Sequence, residues 1–296
     1  MICPVCEKRI GGMFDELSFH LESEAERSDP KHVMWLNRNI SRERMGKVEL
    51  EERLRNLYDF SVSGLANWFR EKFVRKFFSS PPHPFVAEMQ NPSRYTIMGY
   101  VTEHYHFLKQ WVKSCAFIMA KSDHYEIQRY EMSNISEEYF GQGGQVPHVE
   151  LLLRMGESVG LPREKVLASS PLLATKKGIE FWNRVCRDEH WLVGMASMHS
   201  LELIADRNVR QYGASYTYFN PKILEGGITP EADAFLRAGY EADVYHSSDA
   251  LKLVEKYSKE LGMEREVQSY FLLSSEMFSD YLNARLERGR MYEEEL

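Results

Sequence analysis

Helical periodicity is the sequence feature that most constrains how this chain can fold. Apolar residues recur at intervals of three and four along most of its length, and neither an alternating strand pattern nor an internal repeat is discernible. A chain of 296 residues with 43% hydrophobic content can bury one large helical core and carry a small appendage. The sequence therefore predicts an all-α bundle, with helices within residues 41–79, 93–121, 123–135, 163–168, 171–205, 207–219, 230–257 and 264–288.

A few helix boundaries can be predicted directly. Thr229 has the side chain of an N-cap, and Pro230 suits the first position of the helix over residues 230–257. Residues 291–296, MYEEEL, follow the last predicted helix and are expected to be loose.

Charge and composition exclude several classes of protein. The net charge of −7 leaves no basic stripe to neutralise phosphates, so direct nucleic-acid binding is not expected. No apolar run approaches the roughly 20 residues of a membrane span, and the opening MICPVC does not resemble a signal peptide. One cysteine pair and two isolated cysteines suit a reducing cytoplasm better than a disulfide framework.

The first 40 residues contain four candidate zinc ligands: Cys3, Cys6, His20 and His32. The Cys-x-x-Cys pair precedes a glycine turn, and a tetrahedral zinc site needs four such sulfur or nitrogen donors. The interval between the histidines exceeds that of DNA-reading fingers, which predicts a structural zinc knuckle. Reduced cysteines with surface histidines are the alternative. The predicted division is a zinc unit over residues 1–40, a helical extension over 41–80 and a bundle over 81–290.

Residues 135–160 form the most suggestive stretch of the bundle. Glu137 and Glu138 precede a glycine-rich break, and His148 follows at the start of an apolar-periodic helix. A carboxylate on one helix and an imidazole on the next can begin a metal site inside a bundle. The alternative interpretation is a solvated helix end followed by a helix-start residue.

The long helix over residues 93–121 provides a further carboxylate. Glu103 is predicted to share a face with Tyr100, His106 and Phe107, while His104 points elsewhere. A carboxylate on an apolar face is costly without a partner, so Glu103 is a candidate site residue. His106 is either a ligand or a core histidine with a hydrogen-bond partner.

Two later helices complete the set of candidate ligands. Glu202 lies among small and apolar residues, and Asp243 and His246 are three apart, which places both on one helical face. Carboxylates with a few imidazoles suit iron or manganese better than zinc.

At these residues the chain resembles a known group. His83-Pro84-Phe85, followed by a helix containing EHYHFLKQW, resembles the heme-oxygenase-like superfamily, which includes thiaminase II and pyrroloquinoline-quinone synthase. The order Glu, Glu-x9-His, Glu, Asp-x2-His resembles its diiron oxidases, over roughly residues 80–260. The resemblance implies one or two irons bound by Glu103, Glu138, His148, Glu202, Asp243 and His246, and dimers are common for this fold.

The chain departs from that pattern at one position. Where the resemblance implies a further histidine ligand, this chain has Gly239. The site is then mononuclear or labile, with water or a neighbour such as Tyr240, His104 or His106 in the opening, or iron chemistry has been lost.

The resemblance leaves different functions open. The first is a non-heme iron oxidase or oxygenase that uses dioxygen on a small organic substrate, with Glu103, His106 and Tyr240 as catalytic candidates. The second is a metal-free enzyme of the same fold, with His106, His148, Tyr105 and Tyr240 as acids and bases; neither Cys115 nor Cys186 has the setting of a thiaminase nucleophile. The third is a ligand-binding regulatory protein whose zinc unit docks a partner. Heme is not expected.

Overall fold

The computed structural model describes residues 1–141 and 146–295, with the side chains of residues 241–247 left out of that description. Within these ranges the chain is all-α, and an isolated antiparallel bridge joins Ile2 to Arg9. The helices are α1 (Phe14–Glu26), α2 (Pro30–Asn39), α3 (Lys47–Leu57), α4 (Leu65–Phe77), α5 (Pro84–Glu88), α6 (Arg94–Lys121), α7 (Tyr125–Phe140), α8 (His148–Ser158), α9 (Arg163–Leu167), α10 (Leu173–Asp188), α11 (Trp191–His199), α12 (Pro230–Leu261) and α13 (Glu264–Glu295). Short 3-10 helices span Ser200–Ile204, Arg207–Tyr212 and Pro221–Glu225. No described helix is both long enough and apolar enough to cross a membrane.

Helix α6 is the central element of the bundle. The Ser93 hydroxyl caps its start by accepting a hydrogen bond from the Thr96 N–H at 3.1 Å, and the helix then runs for 28 residues. It packs along α13 and also contacts α7, α8, α10 and α11, so its buried side chains point in several directions. Its different faces can therefore serve different purposes, one structural and another lining a site.

The crossing of α6 and α13 depends on glycine. A Cβ added at Gly99 would lie 2.2 Å from the backbone oxygen of Arg285, and one added at Gly289 would lie 2.8 Å from the backbone oxygen of Tyr95. Both obstacles are backbone atoms, which cannot rotate away. The two helices thus approach closely because neither carries a side chain at this point.

We expect Gly99→Ala to lower the free energy of unfolding by about 1–3 kcal/mol, the usual cost of overpacking a well-filled core. Denaturant unfolding followed by circular dichroism measures this change. Gly12→Ala is the matched control, because a Cβ there meets nothing within 4 Å. Equal stability of the two variants would contradict the close crossing.

The structure differs from the predicted helices at several places. Residues 207–219 contain only the 3-10 helix Arg207–Tyr212, which ends at Gly213 with φ 85°. The predicted helix over 171–205 is divided into α10, α11 and the 3-10 helix Ser200–Ile204. The prediction of a loose C-terminal tail is wrong for residues 291–295, because α13 continues to Glu295. Tyr292 is buried, and its hydroxyl lies 2.9 Å from that of Thr102.

The first 40 residues pack against the rest of the chain. α1 lies against α2 and α3, and Ile2 and Leu17 are fully buried. Ion pairs join the segment before α1 to α10 and the residue after it: Arg9 pairs with Glu189 at 2.8 Å, and Glu7 pairs with Arg184. The N-terminal unit is therefore docked on its own bundle.

Candidate zinc and interior sites

The N-terminal cysteines and histidines converge on one point. The donor atoms of Cys3, Cys6, His20 and His32 all lie within 4.8 Å of one another. Cys3 Sγ is 3.6 Å from His32 Nε2, and Cys6 Sγ is 3.3 Å from His20 Nε2. Both histidines are buried, so the alternative of surface histidines is wrong.

Local structure orients this cluster. The Asp29 side chain accepts the His32 backbone N–H at 3.0 Å, which starts α2, and lies 2.6 Å from Nδ1 of the same histidine. A carboxylate on one ring nitrogen leaves the other directed at a metal, as in many zinc sites. Burial raises the pKa of the Cys3 thiol to about 12, so a bound cation is what would hold this sulfur as a thiolate. The donor set fits structural zinc.

A second candidate site is an interior cavity of the bundle. One face of α6 lines it through Tyr100, His104, Phe107 and Trp111, at the spacing i, i+4, i+7, i+11. Leu108 of α6 also lines it. The other lining residues come from α7, α8, α12, α13 and the segments between α11 and α12: Asn134, Glu137, Glu138, His148, Leu201, Glu202, Ile204, Ala205, Tyr218, Phe219, Phe235, Leu236, Gly239, Tyr240, Phe278 and Arg285. The wall is thus mainly aromatic and aliphatic, with a small polar group.

Some of the predicted ligands do meet at this cavity. Glu138, from the last turn of α7, lies with Oε1 3.0 Å from Nδ1 of His148, the first residue of α8. Glu202, from the 3-10 helix that follows α11, lines the same cavity. Oε2 of Glu138 and Oε2 of Glu202 are buried without a hydrogen-bond partner among the described residues.

Two other predicted residues lie outside the cavity lining. Glu103 is fully buried, and its oxygens accept hydrogen bonds from Arg288 Nε at 2.8 Å and from the Leu172 N–H at 3.1 Å. His106 Nε2 lies 2.9 Å from Ser169 Oγ, and burial lowers the pKa of His106 to about 4. The prediction that Glu103 faces the site and His104 points elsewhere is therefore corrected. His104 faces the cavity, and Glu103 faces Arg288.

The remaining predicted residues belong to α12. Gly239 and Tyr240 line the cavity, and the Tyr240 ring lies 5.3 Å from that of Phe219. The side chains of Asp243 and His246 lie outside the described residues, so their role as ligands stays a prediction.

The structure also contains an interaction that sequence reasoning missed. The buried His199 imidazole lies between two carboxylates, with Nε2 2.9 Å from Glu131 and Nδ1 2.8 Å from Glu202. Burial disfavours its charged form, but the two carboxylates outweigh burial and raise the pKa of His199 to about 10. Cys115 Sγ completes a compact group with Glu131 and His199. The spacing of His199 and Glu202, three residues apart, was the signal available in the sequence.

Comparisons with known proteins agree with this architecture, in which an N-terminal zinc-type unit precedes an all-α bundle. The family model described as "TENA/THI-4/PQQC family" matches residues 71–288, and the chain belongs to that family. A model of C2H2-type zinc fingers, in one copy, matches residues 1–59 and agrees with the predicted zinc unit.

Individual relatives share 23% and 31% identity with parts of this chain. A 4-aminobenzoate synthase of Chlamydia muridarum is 23% identical over 184 residues, which cover 60% of this chain and 73% of the relative. A pyrroloquinoline-quinone synthase of Cronobacter sakazakii is 31% identical over 114 residues, which cover 36% of this chain and 45% of that protein.

Solved structures confirm the predicted fold. A domain of unknown function with a heme oxygenase-like fold from Shewanella denitrificans has a TM-score of 0.56 at 17% identity, covering 85% of this chain and 96% of that one. A TenA homologue from P. horikoshii has a TM-score of 0.56 at 12% identity, covering 81% and 97%. The bundle is heme-oxygenase-like.

Proposed function

We propose that the protein is a non-heme iron oxidase or oxygenase that uses dioxygen on a small organic substrate bound in the interior cavity. The observation that carries this proposal is the pair of cavity carboxylates, Glu138 and Glu202, each with one buried oxygen that has no hydrogen-bond partner among the described residues. A buried carboxylate oxygen without a partner is costly, and a bound cation removes that cost.

The donor types fit iron. Carboxylate oxygens together with the imidazole of His148 form the mixed oxygen and nitrogen set that suits iron better than zinc. Asp243 and His246 are the further ligands that the sequence predicts. When bound, iron supplies the electron transfer to dioxygen that side chains alone do not provide.

Two residues outside the cavity lining orient the carboxylate of Glu202. His199 Nδ1 holds Oε1 of Glu202 at 2.8 Å, which leaves Oε2 as the oxygen available to a ligand in the cavity. Glu131 holds the other nitrogen of His199 and so fixes the ring. Such outer contacts set the direction of a ligand carboxylate, and we assign Glu131 and His199 to positioning.

The composition of the cavity wall suits a small organic substrate. Phe107, Trp111 and Phe219 provide apolar surface that excludes water and can hold a carbon skeleton. The relatives named as synthases of 4-aminobenzoate and of pyrroloquinoline quinone are consistent with a small organic molecule as the reactant.

Iron loading tests the proposal. After anaerobic incubation with iron(II) and removal of free metal, elemental analysis is expected to find one or two irons per wild-type chain. The variant Glu138→Gln/Glu202→Gln removes both unpartnered carboxylates and is expected to retain at least ten times less iron. Addition of dioxygen, followed with an oxygen electrode, is expected to give oxygen uptake by the wild type but not by the double variant.

Glu103→Gln is the matched control, since it removes a buried carboxylate of α6 that does not line the cavity. Chains of this variant that remain folded by circular dichroism are expected to load iron as the wild type does. Absence of iron from the wild type, or equal iron in the double variant, would refute the proposal.

A metal-free enzyme of the same fold is the second candidate. The 3.0 Å contact between His148 Nδ1 and Glu138 Oε1 favours it, because a carboxylate-supported imidazole can act as a general base. Tyr240 lines the same cavity. Substrate turnover that is unchanged by iron(II) but lost in His148→Asn would favour this candidate over the iron enzyme.

A further inference from the structure

A buried arginine lines the cavity on the side of α13. Arg285 is 2% exposed, and its guanidinium carbon lies 4.1 Å from the ring centre of Tyr100, 4.5 Å from that of Tyr281 and 5.0 Å from that of Phe85. The guanidinium is charged at any pH at which the protein is folded. A full positive charge is therefore held inside an aromatic cage.

The hydrogen bonds of Arg285 all go to groups without negative charge. Nη1 donates to the Tyr218 hydroxyl at 2.6 Å, and Nη2 donates to the Tyr281 hydroxyl at 2.6 Å and to His104 Nδ1 at 3.0 Å. Burial raises the pKa of Tyr100 and of Tyr281 above the ordinary value, so these phenols stay protonated. No carboxylate in the described part of the chain pairs with Arg285.

One hydrogen-bond donor of this guanidinium also lacks an acceptor among the described residues. The Nε–H of Arg285 is buried and has no hydrogen-bond partner among the described residues. Burying a charge with neither a counter-ion nor a complete set of hydrogen bonds is expensive, and cations of this kind are normally paired. Because Arg285 lines the cavity, an anion that enters the cavity can supply what the protein does not.

The chemistry of the cavity narrows the class of anion. A planar guanidinium matches the geometry of a carboxylate, with which it forms its strongest hydrogen bonds. A phosphate would bring up to two negative charges into a cavity that already holds Glu138 and Glu202, against one guanidinium. A single carboxylate balances the charge of Arg285, and the aromatic and aliphatic walls accept an apolar remainder.

We propose that Arg285 is the substrate-binding residue of the cavity and that the substrate is a small monocarboxylic acid with an apolar body. The acid group lies against the guanidinium, and the body lies among the aromatic walls in the same space that Glu138, His148 and Glu202 face. This inference rests on the proposed function in placing the substrate in that cavity, but binding of the acid needs neither iron nor dioxygen.

Paired acids and amides test it directly. The probes are benzoate, phenylacetate and hexanoate, each compared with its neutral amide, titrated calorimetrically into the full-length protein as purified, without added iron. At least one acid is expected to bind at least ten times more tightly than its amide. Arg285→Met, which keeps an unbranched apolar side chain but removes the charge and the hydrogen-bond donors, is expected to abolish that preference.

Arg290→Met is the matched control, because Arg290 is exposed on the same helix, and the preference is expected to survive it. Should Arg285→Met fail to fold, Arg285→Lys keeps the charge without the planar fork and is expected to weaken acid binding. The inference is overturned if no acid binds more tightly than its amide in the wild type, or if Arg285→Met keeps the preference. Acid binding without iron uptake would refute the iron enzyme alone, and iron uptake without acid preference would refute this inference alone.

Discussion

Cys6→Ser is expected to release the metal of the N-terminal unit and to lower the free energy of unfolding by about 3 kcal/mol or more, because metal binding by such small units contributes directly to their folding. Cys6 is exposed, so a serine there leaves neither a cavity nor a buried hydroxyl without a partner. A large loss of stability at an exposed cysteine therefore has to come from the lost metal ligand.

The loss is expected to extend into the bundle. The segment before α1 carries Glu7 and Arg9, which pair with Arg184 and Glu189 beside the bundle, and Ile2 and Cys3 are fully buried. Without metal, the short N-terminal segment has little else to fix the two thiols and two imidazoles near one another. Its release would expose the apolar side chain of Ile2, which is now fully buried.

The measurement combines elemental analysis with denaturant unfolding. The wild type is expected to retain one zinc per chain and Cys6→Ser none, and a strong chelator is expected to bring the wild type to the stability of the variant. Cys186→Ser is the control, since Cys186 is buried outside the cluster, and it should leave the zinc content unchanged. Full zinc content and stability in Cys6→Ser would exclude the zinc unit.

Local signals were enough to predict the main helices. Ser93 caps α6, and Thr229 with Pro230 starts α12, because capping side chains and proline act on the residues next to them. The helix expected over residues 207–219 did not form as such: that segment packs between other elements, and Gly213 ends its single 3-10 helix. Whether a segment will be held by its neighbours cannot be read from its own sequence.

The candidate site shows the same division between local and distant information. Helical spacing separates Glu103 from His104 by about 100°, but it cannot say which of the two faces a cavity. The contact between Glu131 and His199 joins residues 68 apart in sequence, so no local pattern indicates it. Arg285 likewise resembles any charged residue of an amphipathic helix until the aromatic cage around it is known.

Arg288→Met is expected to lower the free energy of unfolding by about 3–5 kcal/mol, the usual result of removing one partner of a buried ion pair. Arg288 Nε donates to Glu103 Oε1 at 2.8 Å, and Arg288 Nη2 donates to the Ser170 backbone oxygen at 2.6 Å. Without the arginine, the fully buried Glu103 keeps the Leu172 N–H as its one remaining hydrogen-bond donor among the described residues.

The double variant Glu103→Gln/Arg288→Met distinguishes a stranded charge from lost packing. A neutral amide at position 103 can still accept the Leu172 N–H, so the double variant is expected to be at least about 1 kcal/mol more stable than Arg288→Met alone. Arg290→Met, at an exposed position of α13, is expected to stay within about 0.5 kcal/mol of the wild type. Urea unfolding of the four chains measures these differences. If Arg288→Met is no less stable than Arg290→Met, Glu103 does not depend on that ion pair, and its buried charge needs another partner such as a metal.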